Sequence, residues 1–501
     1  MRLSKVFSGL DVTLPQQDFE ATGLCMDSRE AQPGNIFFAV SGFHTDGSLF
    51  TGEAVVKGCK AIVVQKGQGP LSDEIGGAPV IIVPDIHKAM SLCANNFFNA
   101  PSRRVEVVGI TGTNGKTTTS YFLEAIYQAA GIKPGVIGTV NYRCGGEVIA
   151  AAVNTTPPAL KLQECMAMMA DCGCKAVIME VSSHALAYDR VKDMDYDAAV
   201  FTNFSQDHLD FHKTMENYLA AKAKLFSLLA SPGNSKKNRS VAINGDDPAC
   251  ETVLRGLGKD VRVARFGTGI HCEWRASEIE TALGGTSFML HSPCGARRVQ
   301  LKLWGAYNVF NALASMACAS LRGIAFDKLV EGVMALERVP GRMEPVSRGQ
   351  KFNVFVDFAH TERALESVLK ALAMFPHKRV FTVFGCGGNR DRTKRGPMAC
   401  TVCANCTHAY ITVDNPRMES LDQIFADMEA GLKERGFSNY TLVRDRAAAV
   451  TEAVCAAGEG DIVLLAGKGH EIFQLISGQR IPYSDSDTAA RALEELQKAS
   501  T

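Results

Sequence analysis

Residues 105–119 read VEVVGITGTNGKTTT, putting an apolar run, a glycine-punctuated loop and the start of a helical pattern back to back. An apolar run without polar alternation reads as a strand buried on both faces, and such strands belong to parallel sheets covered by helices. The following helical pattern carries Phe122, Ala125, Ile126 and Ala129 on one face. Strand-like runs recur at residues 176–181, 198–202 and 241–244, and they alternate with helical segments at 158–169 and 215–229. That alternation predicts a largely parallel α/β sheet built around the loop.

A chain of 501 residues exceeds what one hydrophobic core usually supports, so two to four domains are expected from size, and three is the preferred number. Residues 1–102 hold short strand-like pieces, NIFFAV, KAIVVQ and PVIIVP, separated by turn residues, and read as a small α/β unit. Residues 103–340 form the central, P-loop-like parallel sheet. Residues 341–501 repeat the strand pattern as NVFVDFAH, RVFTVFGCGG, HAYITVDNPR, YTLVRDR and DIVLLAGKGHE, which predicts a Rossmann-like open sheet. Ligands of open α/β sheets gather at the carboxyl ends of the strands, so Asp357, His360, Arg390, Asp414, Arg417, Gly467 and Glu471 are expected to converge there.

Charge narrows the partners. Lys plus Arg and Asp plus Glu are equal at 53 each, the pI is about 7.1, and no long run of one sign occurs. The chain therefore carries no electrostatic footprint for nucleic acid or an anionic membrane, and small-molecule substrates are the default. The first residues lack the apolar core of a secretion signal, and no stretch approaches the roughly 18 apolar residues of a membrane span, so a cytoplasmic protein is expected. The 16 cysteines then read as buried apolar residues. Cys400, Cys403 and Cys406 have CxxCxxC spacing, but they fall where a helix is expected, and only His408 is near enough to complete a ligand set. Packing is favoured over metal.

The loop GTNGKTT at residues 112–118 carries the most specific chemistry. Its backbone N–H groups can wrap phosphate oxygens, Lys116 can neutralise terminal phosphate charge, and Thr117 can hold Mg²⁺. Position 110 is Ile, so the longer GxxxxGK[ST] spacing is not met and the shorter GxxGKT is.

GTNGKTT resembles the ATP loop of the Mur ligases and of their relative folylpolyglutamate synthase. The resemblance continues through DSREAQPGNIFFAVSG at 27–42, NTTPP at 154–158, EVSSHAL at 180–186, TNFSQDHLDFH at 202–212, AAKAKLF at 220–226, NGDD at 244–247, GAYNVFNALA at 305–314, PGRME at 340–344, DFAHTERAL at 357–365, FGCGGNRDRTKR at 384–395, DNPR at 414–417 and GKGHE at 467–471. It is nearest to the diaminopimelate-adding branch of the family.

Much follows from that resemblance as expectation. The implied activity is an ATP-dependent amide ligation through an acyl phosphate, joining meso-diaminopimelate to a UDP-linked muramoyl dipeptide in cell-wall precursor synthesis, by a monomer. ATP contacts are implied for Gly112, Thr113, Asn114, Gly115, Lys116, Thr117, Thr118, Asn308, Arg342, Asp357 and His360. Catalysis and Mg²⁺ binding are implied for Lys116, Thr117, Glu180 and His208, and for Lys222 if it is carbamylated. UDP-substrate contacts are implied for Met26, Ser28, Phe43, His44 and Thr45 in the first domain. Asn154, Thr155, Thr156, Ser182, Tyr188 and Arg190 supply the rest, Tyr188 standing where the family often has Gln. The acceptor set is Arg390, Asp414, Asn415, Pro416, Arg417, Gly467 and Glu471. Arg417 can pair bidentately with the distal carboxylate by which diaminopimelate differs from lysine. Without the resemblance, Ser28 and the threonine pair read as turn and cap residues, Lys222 as a solvated lysine and DNPR as a plain turn. A lysine-adding ligase, a folylpolyglutamate synthase-like ligase and an ATP-gated binding protein are the competing readings.

Overall fold

The apolar run beginning at Val105 forms the strand Glu106–Thr111, in which Val107, Val108 and Ile110 are fully buried. The computed structural model describes residues 1–42, 46–68, 72–152, 154–282 and 285–500. Among them, Glu106–Thr111 lies inside an 11-stranded sheet, paired in parallel with Ala176–Glu180 on one side and Ala198–Phe201 on the other. Ser240–Asn244 and Arg262–Gly267 continue the parallel part beyond Ala198–Phe201, and Pro134–Ile137 continues it beyond Ala176–Glu180. Both outer edges are antiparallel: Asn141–Cys144 with Glu147–Ala151 at one end, and Trp274–Ala282, Gly285–Ser292 and Gly295–Leu301 at the other. These edge strands were not among the expected elements.

The loop leads into the helix Lys116–Ala129. Phe122 and Ile126 are buried as the spacing predicts, but Leu123, Glu124 and Tyr127 are buried as well. The helix is sandwiched between the sheet and the helices Ala306–Leu321 and Phe326–Ala335, so it has more than one covered face. Gly332 makes that sandwich possible, since a Cβ there would stand 2.4 Å from Ile126 Cα. On the other sheet face, Ala159–Asp171 and Met215–Ala230 pack over Val107, Val177, Ala199 and Val241.

A five-stranded sheet precedes this unit, with Gly23–Cys25, Asn35–Phe38, Ala61–Gln65 and Ala78–Val83 in parallel and Glu74–Ile75 antiparallel at the edge. Its core takes in Ala159 and Leu160 from the helix Ala159–Asp171 of the central unit. A six-stranded sheet follows, in which Asn353–Asp357, Ile462–Ala466, Val380–Cys386, His408–Val413 and Tyr440–Leu442 run parallel. The mixed α/β class is as expected. Beside this six-stranded sheet, Arg446 and Asp485, at the heads of the helices Arg446–Ala456 and Asp485–Ser500, are fully buried and paired at 2.7 Å. The Arg446 guanidinium also donates to the carbonyl oxygens of Val413 and Ala466, tying the ends of the two strands that flank Val380–Cys386. Cys400 and Cys403 lie buried in the helix Arg395–Ala404, and the Cys400 thiol donates to the Gly431 carbonyl at 3.3 Å. No helix among the described residues is long and apolar enough to cross a membrane.

Gly332→Ala should destabilise the protein by about 1–3 kcal/mol, because the added methyl must push two helices apart. Urea unfolding followed by circular dichroism checks this, and an unchanged midpoint would contradict the packing argument.

Candidate functional site

The strand Glu106–Thr111 ends at Gly112, and the loop that follows is gripped by the end of the next strand. Thr202 Oγ1 and Asn203 Nδ2 both donate to the Asn114 carbonyl, at 2.6 and 3.0 Å. Asn203 returns the favour by accepting: its Oδ1 takes the Asn114 N–H at 3.0 Å and its carbonyl takes that of Thr113 at 2.8 Å. A Cβ on Gly112 would lie 1.9 Å from Thr202 Oγ1, so this grip requires glycine. Lys116 Nζ folds back onto the carbonyl oxygens of Gly112 and Thr113, each at 2.9 Å, and burial pushes its ammonium pKa down. At the head of the helix Lys116–Ala129, the first N–H groups have no carbonyl one turn earlier to bond. The loop can therefore offer N–H donors, an ammonium and a dipole to an anion.

Glu180 closes the strand on the other side, in register with Ile110, and is almost completely buried. Thr117 Oγ1 donates to Glu180 Oε2 at 2.9 Å, Thr139 Oγ1 to the same oxygen at 2.8 Å, and the Thr139 N–H to Oε1 at 2.9 Å. Hydroxyl and carboxylate oxygens of this kind are the donors that Mg²⁺ prefers. His208 stands edge-on to His184, with ring centroids 4.8 Å apart. Burial pushes the His208 pKa down to about 3 and that of His184 to about 4, so both imidazoles stay neutral and keep a lone pair. Burial raises the neighbouring Asp207 carboxyl, but His208, Lys394 and His360 together hold it low. Lys222 is buried under the loop, where its Nζ donates to the Gly112 carbonyl at 2.7 Å and sits 4.4 Å from the Tyr218 ring centre. Burial, and then the nearby Lys116 ammonium, lower its pKa well below the ordinary lysine value.

One cleft of about 1120 Å³ joins this region to the last sheet. Its lining includes Thr113 to Thr118, Glu180, Ser182, His208 and Arg342 on one side, and Asp357, His360, Arg390, Asp414, Asn415, Arg417, Gly467 and Glu471 on the other. Arg342 reaches Thr117 Oγ1 at 3.2 Å, while its buried Nε has no hydrogen-bond partner. The Arg342 guanidinium also lies over the Phe358 ring, 4.8 Å from its centre. Asp357 accepts the N–H groups of Met343 and Ala359, both at 2.7 Å, and burial raises its pKa. The His360 ring is held against the Phe358 carbonyl.

The distal end is a network. Arg417 adopts a positive φ of 56° and donates to the Gly388 carbonyl at 2.9 Å. Burial, and then the adjacent Arg390, pull its pKa below the ordinary value. Asn415 Nδ2 donates to Glu471 Oε2 at 2.9 Å, and the wholly buried Lys468 bridges Asp414, Asn415 and Glu471.

Several other expected residues sit apart from the cleft lining, and some that line it are held in local contacts. Asn308 is buried and spends its amide on the Trp304 carbonyl and on Asn311, and Asn311 is the one that lines the cleft. Pro416 and Gly112 are also outside the lining. Ser28 Oγ donates to Glu53, and Met26 packs against the first core. Asn154 is exposed. Thr155 lines the cleft, whereas Thr156 Oγ1 donates to the Glu180 carbonyl and accepts the Ser182 N–H. Ser182 caps the helix Ser183–Ala187, the local role its residue type suggests. Arg190 donates to the Thr156 carbonyl, and Tyr188 stacks obliquely on His87 and Phe211. Phe43, His44 and Thr45 lie outside the described residues.

Asn203, Thr139, Asp207 and Lys468 were missed by the residue-type reading. Asn203 and Asp207 belong to TNFSQDHLDFH and Lys468 to GKGHE, so motif position was the available signal. Elsewhere Asp246, His271 and Cys272 meet at ligand spacing, but the Asp246 carboxylate is taken by the N–H groups of Thr268 and Gly269.

Three family models match in chain order. They are the Mur ligase family, catalytic domain at residues 20–98, the Mur ligase middle domain at 110–319, and the Mur ligase, glutamate ligase domain at 341–469. A UDP-N-acetylmuramoyl-L-alanyl-D-glutamate--2,6-diaminopimelate ligase of Geobacillus thermodenitrificans is 42% identical, over 95% of this chain and 95% of that protein. Its counterpart from Bacillus cereus is 38% identical, over 96% and 95%. A solved structure of a ligase with the same name superposes with a TM-score of 0.65 at 31% identity, over 99% of both chains. The MurF ligase of Thermotoga maritima in complex with ADP shares the fold, with a TM-score of 0.65 at 18% identity over 95% of this chain and 98% of that one.

Asn203→Ala removes two side-chain bonds to the loop and should weaken nucleotide binding about tenfold, the worth of one to two such bonds. Titration with a fluorescent ADP analogue measures it; unchanged affinity would mean the loop holds its shape without the grip.

Proposed function

Because the chain belongs to the Mur ligase family, we propose that it is an ATP-dependent, ADP-forming ligase that adds meso-diaminopimelate to UDP-N-acetylmuramoyl-L-alanyl-D-glutamate in peptidoglycan precursor synthesis. The observation that carries this is the shared cleft: Lys116 and Glu180 open onto the same space as Arg417 and Glu471. An activation site and an acceptor site are needed within reach of one carboxylate, and a nucleotide-binding protein without turnover has no use for the second. DNPR with its Arg417 favours diaminopimelate over lysine as acceptor. The proposal assigns residues 1–102 to the UDP moiety, 103–340 to ATP and catalysis, and 341–501 to the amino acid. It takes the protein to be a cytoplasmic monomer.

In the proposed reaction the glutamyl carboxylate of the UDP-substrate attacks the γ-phosphorus of ATP, ADP leaves, and an acyl phosphate forms. The amine of diaminopimelate then attacks the acyl carbon, inorganic phosphate leaves with the bonding pair, and the surplus proton is lost from the amine. Lys116, released from its own loop carbonyls, neutralises the transferring phosphoryl group, and Arg342 supplies a second cation. Thr117, Glu180 and His208 are the residues that would hold Mg²⁺, and their oxygen and neutral imidazole donors fit it. When bound, the ion lowers the repulsion between carboxylate and polyphosphate. Lys222 fits carbamylation, since burial beside Lys116 favours the neutral amine that carbon dioxide needs, and the carbamate would return a negative charge beneath the loop. Contact between the last sheet and the loop region, through Lys394 with Asp207 and Arg363 with the Phe204 carbonyl, supports a closed cleft that keeps water from the acyl phosphate.

Phosphate release should require ATP, the UDP-muramoyl dipeptide and diaminopimelate together; no release under any amino acid would leave only the binding-protein reading. Arg417→Ala should raise the diaminopimelate KM about 100-fold and leave the ATP KM within about twofold. Equal increases in both would overturn the acceptor assignment. Carbon-13 bicarbonate should give a carbamate resonance in the native protein that Lys222→Arg lacks, and a spectrum unchanged by the substitution would remove the carbamate.

A further inference from the structure

Lys468 is wholly buried, an uncommon fate for a lysine because its ammonium must then be fully compensated by the protein. Its Nζ donates to Asn415 Oδ1 at 3.1 Å, to Asp414 Oδ1 at 3.3 Å and to Glu471 Oε2. All three partners belong to the acceptor pocket. The residue-type reading passed over the lysine that connects them.

The first consequence is orientation. Asn415 Oδ1 accepts from Lys468 and also from the Leu475 N–H at 2.9 Å, which turns its Nδ2 toward Glu471. Glu471 Oε2 is thus committed twice to the protein, by Asn415 and by Lys468, and Oε1 is left for a ligand in the cleft that Glu471 lines.

The second consequence is charge. Glu471 and Asp414 line the distal end of the cleft with Arg390 and Arg417, and Asp210 and Asp391 line the same cleft. The Lys468 ammonium behind them already shares the Glu471 and Asp414 carboxylates. A side chain ending in an ammonium alone therefore finds in Glu471 a carboxylate that is already half spent. A terminus that carries both a carboxylate and an ammonium brings its own anion for Arg417 and Arg390.

We propose that Lys468 is a specificity-determining positioning residue of the acceptor pocket, selecting an amino acid with a zwitterionic distal end over one with a distal ammonium alone. The proposal rests on the reading of this pocket as the diaminopimelate site. The rejection of lysine thus comes from two sources, the bidentate partner offered by Arg417 and the prior claim of Lys468 on the Glu471 carboxylate.

The test compares kcat/KM for meso-diaminopimelate and L-lysine in the wild type, Lys468→Met and Lys468→Arg, with thermal melts run first. Lys468→Met should lower the diaminopimelate-to-lysine ratio about tenfold or more, with the ATP KM within about twofold, and Lys468→Arg should keep most of the wild-type ratio. A ratio unchanged in Lys468→Met overturns the proposal, whatever happens to the absolute rates. Should Lys468→Met not fold, Lys468→Gln keeps an amide donor, drops the charge and is read the same way. Collapse of both variants also overturns it, since the lysine would then serve the fold and not selection. If the wild type itself does not use diaminopimelate, the acceptor reading fails independently of any variant.

Discussion

The in-register pairing of one strand with two neighbours governs the site. Glu106–Thr111 is hydrogen-bonded to Ala176–Glu180 on one flank and to Ala198–Phe201 on the other, all parallel, so all three chains leave the sheet at the same edge. Gly112 emerges between Glu180 and Thr202 as a result. One neighbour supplies the carboxylate that faces the head of the helix, and the other supplies the residues that hold the loop. A slip of one residue in either pairing would turn Glu180 or Thr202 to the opposite sheet face and undo both arrangements. The apolar residues filling those strands thus fix the positions of the polar groups at their ends.

The last sheet repeats the logic with a different fastener. Its strands end at Val413 and Ala466, and the buried Arg446 guanidinium holds both carbonyls while paired with Asp485. The loops carrying DNPR and GKGHE start from those tied ends. Lys468 then links them a second time through Asp414, Asn415 and Glu471. An ion pair that is sealed from water contributes little net stability for its desolvation cost, yet it sets the spacing of two loops with high definition.

The parallel strands were legible because their apolar runs are continuous: VEVVGI, the run at 176–181 and DIVLLA all became buried strands. The antiparallel edges were not. Trp274–Ala282 alternates buried and open positions along WRASEIETA, and a search for unbroken apolar runs passes over such a strand. The helix Lys116–Ala129 was legible in position but not in burial, because its second covered face depends on helices about 190 residues further on. At the site, residue type and motif pointed to Lys116, Glu180 and Arg417. They did not point to Asn203 or Lys468, whose parts consist of holding other residues and carry no signature of their own. Asn308 shows the converse: a polar residue in a recognisable motif whose amide is spent inside its own helix and on Trp304.

The first sheet closes its core with Ala159 and Leu160, which belong to a helix of the central unit. A fragment cut near residue 102 would therefore carry an unfilled hollow into water, and the remainder would expose the two side chains that had plugged it. The amino-terminal lobe is in this sense not a detachable module. Any swing of it must slide along a greased seam or else drag that helix, and with it the 154–158 stretch at the helix's entrance, where Thr155 lines the cleft.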